Sequence, residues 1–214
     1  ASMFYPEKSK AKIQFSKYAA AALCYLLHRQ RDAVGLCLFS DAIETFTPVK
    51  STPTHLDKVL RLLNTLGQRT PTSNKTQVAE VLHAIAEKVH KRSLVVIFSD
   101  MFDTAENAEE LFKALQHLKH NKHEVVVFHV MDAETELAFS FEDRPIEFVD
   151  LENGEKVLVN PSDIRQYYQE QATHFHKQLQ MRCHQYKIDF IEADVRSDFS
   201  LILQTYLIKR AKMR

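Results

Sequence analysis

The sequence predicts an α/β fold: a doubly wound, mostly parallel sheet with helices on both faces. Two observations point there. Short continuous apolar runs, such as LVVIFSD at 94–100 and HEVVVFHVM at 123–131, have strand length and no polar alternation. That is the pattern of strands buried on both faces. Between such runs lie segments with apolar residues at helical spacing, so strands and helices alternate along the chain. One stretch departs from this order. PIEFVDLENGEKVLVN (145–160) alternates on either side of Asn153-Gly154. Asn-Gly suits a two-residue hairpin turn because both positions tolerate positive φ, so a β-hairpin insertion is expected there.

The elements follow in order. KIQFSKYAAAALCYLLHRQ (12–30) is rich in Ala and Leu and reads as a helix buried over much of its surface. AVGLCLF (33–39) is a strand-length apolar run, and AIETFTP alternates until Pro48, as an edge strand does. THLDKVLRLLNTLG is an amphipathic helix closed by Gly67, and TPTSNKT is a polar loop. QVAEVLHAIAEKVHK carries a helical stripe of Val78, Val81, Leu82, Ile85 and Val89. SLVVIFS, NAEELFKALQHLKH and HEVVVFHVM then read as strand, helix and strand. Beyond the hairpin, Asn160 as N-cap and Pro161 at the first helical position open a long helix. KIDFIEA is a last strand, and SDFSLILQTYLIKRAKMR a last helix whose basic end suits its negative pole. No repeat or low-complexity linker divides the chain, so one domain over 1–214 is expected.

Composition narrows the function. Lys and Arg number 28 against 28 Asp and Glu, so no net field draws nucleic acid. Only Gly35, Gly67 and Gly154 are glycines, and they are far apart. A phosphate-cradling loop needs glycines close together, which argues against P-loop and dinucleotide-binding enzymes. Cys24, Cys37 and Cys183 are odd in number and widely spaced, which fits free thiols in a reducing compartment. No apolar run approaches the ~20 residues of a spanning helix, and no signal-peptide pattern opens the chain. A cytoplasmic protein is expected. The opening ASMFY has no initiator Met and no strand before the first helix, so a piece of a longer protein is expected, and an upstream membrane segment would lie outside this sequence.

In open parallel sheets, ligands bind beyond the carboxyl ends of the strands. Asp100 stands at one such end, after LVVIFS, and is the first candidate site residue. Hard cations take oxygen ligands, and one carboxylate is too little for Mg2+. Thr76, at the start of the helix leading into that strand, and Ser2, before the first helix, are candidate hydroxyl ligands. Plainer roles compete. Asp100 could close a turn, and Thr76 could be a helix cap, with Asn74 and Gln77 as a rival capping pair. Ser2 could be a loose terminus. Asp41 reads as a turn residue, and Asp103 with Thr104 as a cap for the next helix. HLKHNKH places His117, His120 and His123 at three-residue spacing. His123 belongs to the next strand and no Cys completes a tetrahedral set, so zinc is not expected.

SM before a helix, QRDAVGLCLFSD, NKTQVAEVL and VVIFSDMFD, in that order, resemble the von Willebrand factor A-like fold. Within it the chain is most similar to the bacterial branch known as domain of unknown function 58. RDAVGL, HEVVVFHVMD and the hairpin DLENGEKVLVNP extend the resemblance over essentially the whole chain. The resemblance implies a metal-ion-dependent adhesion site for Mg2+ or Mn2+. Ser2 matches the last Ser of the family's Asp-x-Ser-x-Ser first loop, Thr76 its Thr, and Asp100 its third-loop Asp. The Asp and first Ser of that loop have no counterpart, and neither does the strand carrying them, which is central in the family. Metal binding is therefore expected to be weak or absent. The missing strand is expected to leave a gap, a swapped segment, a rearranged edge or an edge-paired oligomer.

Three functions compete. The resemblance implies a non-catalytic binding module, in which a partner's Asp or Glu completes the metal's coordination. It also implies association with a MoxR-type AAA+ ATPase in complex assembly. The second is a metal-dependent hydrolase or phosphoryl-transfer enzyme using Asp100 and Asp103. It lacks a Gly-x-Ser-x-Gly elbow, a paired-histidine motif and an Asp-x-Asp start. The third is a structural domain whose site has decayed.

Overall fold

A computed structural model describes residues 2–6, 8–40, 42–66, 78–90, 92–101, 108–149 and 155–212, with side chains as far as 208. Gly67, Thr76, Asp41, Asp103, Thr104 and the Asn153-Gly154 turn lie outside the described residues.

The central sheet has three parallel strands in the order β3 (Leu94–Ser99), β4 (Glu124–Met131) and β7 (Asp189–Asp194). Strand β4 is flanked on both edges, and its residues from Val125 to Met131 are all buried. Its side chains alternate between two cores, as a period of two requires. Val125 and Val127 point to one face, where helices α3 (Val78–Lys88), α4 (Ala108–His120) and α5 (Pro161–Gln185) supply Leu82, Leu115 and Leu179. Val126, Phe128 and Val130 point to the other, against Phe15, Ala19 and Leu23 of α1 (Ala11–Arg29) and Leu203 and Tyr206 of α6 (Phe199–Lys212). Helices thus cover both faces of a parallel sheet, the α/β class that the alternating elements predict.

Local chemistry accounts for the element boundaries. Helix α2 (Pro53–Thr65) starts where the Thr52 hydroxyl accepts from the His55 N–H and Pro53 fills the first turn. Its His55 ring lies 3.1 Å from the Val34 carbonyl, tying the helix to the strand-like segment below it. Asn160 and Pro161 open α5 as expected, although the Asn160 side chain makes no capping bond. Strand β3 stops because Met101, two residues on, has a φ of 48°, a left-handed conformation that no strand continues through.

Two further pairs stand apart from the parallel sheet. Strands β1 (Cys37–Phe39) and β2 (Ile43–Phe46) form an antiparallel pair, shorter than the apolar run AVGLCLF suggested. Strands β5 (Ile146–Val149) and β6 (Lys156–Val159) form the expected hairpin, with Val149 opposite Lys156. It is anchored through Phe148, which stacks 5.5 Å from Phe139 and meets Phe141 edge-on. The continuous sheet expected from sequence is therefore divided into three.

A cavity lies where the sheet divides. All of β1 and all of β3 line one cavity of about 1000 Å3. Helix α1 borders it from one face, and α3 from the other. The space lies in the plane of the sheet, beside β3. Among the described residues no strand pairs with that edge of β3. Alternate backbone groups of β3 face the cavity rather than β4. We expect amide hydrogen exchange to separate them: cavity-facing amides of Leu94–Ser99 should exchange clearly faster than those of β4. Protection along β3 as uniform as along β4 would show the edge to be paired.

Candidate functional site

The carboxyl ends of all three parallel strands carry an aspartate. Asp100 follows β3, Asp132 follows β4, and Asp194 ends β7 beside Met131. The three parallel strands bring them to one edge, together with a π-helical turn at Ala133–Leu137 and the start of α1. π-Helical turns are rare and are often found at functional sites.

Asp100 is 8% exposed, and its Oδ2 accepts a hydrogen bond of 3.0 Å from the Lys12 ammonium. Lys12 is 0% exposed and donates a second bond of 2.6 Å to Glu136 Oε1. The other oxygen of Glu136 accepts from the Asp132 backbone N–H at 2.7 Å. One buried cation thus joins helix α1, the end of β3 and the π-helical turn after β4. The Tyr5 ring, 5.6 Å from the ammonium, flanks it. Burial disfavours the charged form of Lys12, but Asp100 and Glu136 more than offset it, and the ammonium is held above its ordinary range. Burial pushes the Glu136 carboxyl up from its ordinary range, with Lys12 pulling it back.

A second ion cluster adjoins the first. Asp132, 1% exposed, accepts two bonds from the Arg196 guanidinium, 2.6 Å from Nε and 3.1 Å from Nη2. Arg196 also pairs with Glu134, and both of these side chains are half exposed at the rim. Asp194 accepts from the Ala133 and Arg196 backbone N–H groups, so it shapes the turn. Below Asp100 lies His129, whose Nε2 is 2.9 Å from the Asp100 carbonyl. A carbonyl only accepts, so the neutral ring carries its proton on Nε2. His129 Nδ1 is buried with no partner among the described residues. Burial, and next the neighbouring His176, push the His129 pKa down to about 4.

These placements bear unevenly on the candidates read from sequence. Asp100 is at the edge where it was expected. Ser2, in a short 3-10 turn at Ser2–Phe4, lines the same cavity as Asp100. Thr76 and Asp103 lie outside the described residues. Lys12, Glu136, Asp132, Arg196 and His129 were missed. Lys12 had a legible signal: it falls on the stripe of Phe15, Ser16, Ala19 and Leu23 that α1 buries. A lysine on a buried helix face demands a carboxylate. Among the histidines of HLKHNKH, His117 turns to His83, at 2.9 Å between Nδ1 atoms, and to Glu87. Among the described residues no three His, Cys, Asp or Glu side chains converge to hold a metal ion.

The described donors around Asp100 do not fit a divalent cation. The carboxylate that would bind it already holds an ammonium 3.0 Å away, and a second positive charge there would be repelled. The cysteines are not activated nucleophiles. Burial pushes the Cys24 and Cys37 thiols up to about 11, and Cys183 to about 12, so none is a thiolate at neutral pH. No helix of the described residues is long and apolar enough to cross a membrane.

Two outcomes follow from this geometry. Replacing Lys12 by Met strands the buried Asp100 and the partly buried Glu136 carboxylates, and should lower the unfolding free energy by about 3–5 kcal/mol in urea titration. His129 has a folded pKa below its unfolded value of 6.5. The unfolded chain therefore binds the extra proton, and stability is lost as pH falls from 6.5 towards about 4. At 1.36 kcal/mol per unit the loss is roughly 3 kcal/mol, and a His129→Gln variant should lack that part of the slope.

The family model described as "Protein of unknown function DUF58" matches residues 1–178. Among solved structures, the chain is similar to the crystal structure of conserved hypothetical protein BatB from Bacteroides thetaiotaomicron, at 14% identity and a TM-score of 0.56. That match covers 94% of this chain and 87% of the other, and it bears on the fold alone. No curated protein matches.

Proposed function

This chain belongs to the DUF58 family, and we propose that it is a non-catalytic protein-recognition module that reads its partner at the carboxyl edge of the parallel sheet. One observation carries the reading. The acids at that edge are engaged by cations of the chain itself, Lys12 with Asp100 and Glu136, and Arg196 with Asp132 and Glu134. An acid held in an ion pair is a poor general base or nucleophile. It does fix the shape and charge of a surface. Glu134 and Arg196 then present one negative and one positive group to solvent at the rim.

The von Willebrand A-like resemblance supports the same edge, because the loops there choose the partner in that fold. The family context makes a MoxR-type AAA+ ATPase the partner to test first, in the assembly or maturation of a larger complex. In the metal-dependent form of this reading, Ser2, Thr76 and Asp100 hold Mg2+ or Mn2+ and a partner's Asp or Glu completes the shell. The Lys12–Asp100 pair weighs against that form in this chain.

Surface plasmon resonance against a purified MoxR-type ATPase from the same source tests the proposal. Charge reversal at the rim, Glu134→Arg or Arg196→Glu, should weaken binding about tenfold or more, or ~1.4 kcal/mol. Leu158→Ser, on the exposed hairpin, should leave it unchanged. Equal binding by all variants would place recognition elsewhere, and turnover of a generic ester or phosphate that Asp100→Ala abolishes would make the chain an enzyme.

A further inference from the structure

The metal implied by the family resemblance and the residues around Asp100 disagree, and the disagreement points to a specific device. We infer that Lys12 is the resident cation of this edge: its ammonium occupies the cation position between Asp100 and Glu136, and the centre is metal-independent. The inference concerns what holds the edge together, and it stands whether or not the edge recognises a partner.

Geometry carries it. The two carboxylates converge on one point from different elements, at 3.0 Å and 2.6 Å from a single Nζ. Two carboxylates around one cation, with water completing the shell, is also how proteins hold Mg2+ and Mn2+. What occupies the point here is a side chain tethered to helix α1. Lys12 is wholly buried, so an ion that takes this point has to displace its ammonium. Displacement would leave the ammonium buried without its carboxylates, next to the incoming dication.

The position of the tether matters as much as its charge. Lys12 sits in the first turn of α1, a helix with no acidic residue there and no side-chain N-cap. The positive end of the helix dipole and the ammonium therefore add together at Asp100 and Glu136. Both carboxylates face a permanent positive field from the chain itself. A divalent ion would do the same work only when bound, and would come and go with its concentration. A tethered cation makes the junction of α1, β3 and the π-helical turn a constant feature of the fold.

The test is an Mn2+ titration of the full chain followed by electron paramagnetic resonance, with circular dichroism as a check on folding. The wild type should take up no Mn2+ at millimolar concentrations. Lys12→Ala frees both carboxylates and removes the competing charge. It should gain one Mn2+ per chain, and a further Glu136→Gln substitution should remove that gain. Saturable binding of one Mn2+ by the wild type, abolished by Asp100→Asn, would overturn the inference. So would a folded Lys12→Ala chain that takes up none. If Lys12→Ala does not fold, thermal unfolding of the wild type decides the matter. An unchanged Tm with and without millimolar Mg2+ supports a resident ammonium, and a metal-dependent rise contradicts it.

Discussion

A lysine ammonium buried between two carboxylates is expensive to desolvate, and the arrangement at the carboxyl edge follows from meeting that cost. Lys12 can be buried only because Asp100 and Glu136 reach it from two other elements. That fixes the start of α1 over the end of β3 and draws the π-helical turn after β4 onto both. Glu136 in turn uses its second oxygen to hold the Asp132 backbone, which places Asp132 for Arg196. The edge is thus a chain of obligations, each charge placed by the one before it.

The two cores below the edge are of a different kind. They depend on β4, whose alternating valines and phenylalanine serve both faces of the sheet. Apolar packing of this sort sets the fold class but does not choose among ligands. Function in such folds is carried by loops at the strand ends, and here those loops hold paired charges. The recognition role proposed above rests on these ties: the acids are held in ion pairs with the chain's own cations.

How much of this was legible in the sequence depended on whether a signal was local. The apolar runs at 94–100 and 123–131, the helical stripes and the hairpin alternation at 145–160 are local patterns, and the described elements lie within them. Asp100 could be placed because a strand end is a local feature in a parallel fold. Lys12 and Glu136 are 124 positions apart, and no local pattern links them. The one clue was a charged residue on the buried stripe of α1. The division into three sheets was not local either. Among the described residues no strand lies between β1 and β3, and the cavity of about 1000 Å3 marks that place.

Lys12 is a buried ammonium bonded to two carboxylates, and heteronuclear NMR of the lysine side chains tests this most directly. Solvated lysine ammonium protons exchange too fast to be seen at neutral pH, whereas a buried, doubly bonded group is sheltered. The account predicts one protected Nζ resonance in the full chain, assigned to Lys12 by its loss in Lys12→Met, and missing or shifted in Glu136→Gln. A spectrum in which Lys12 exchanges like every surface lysine would contradict the account.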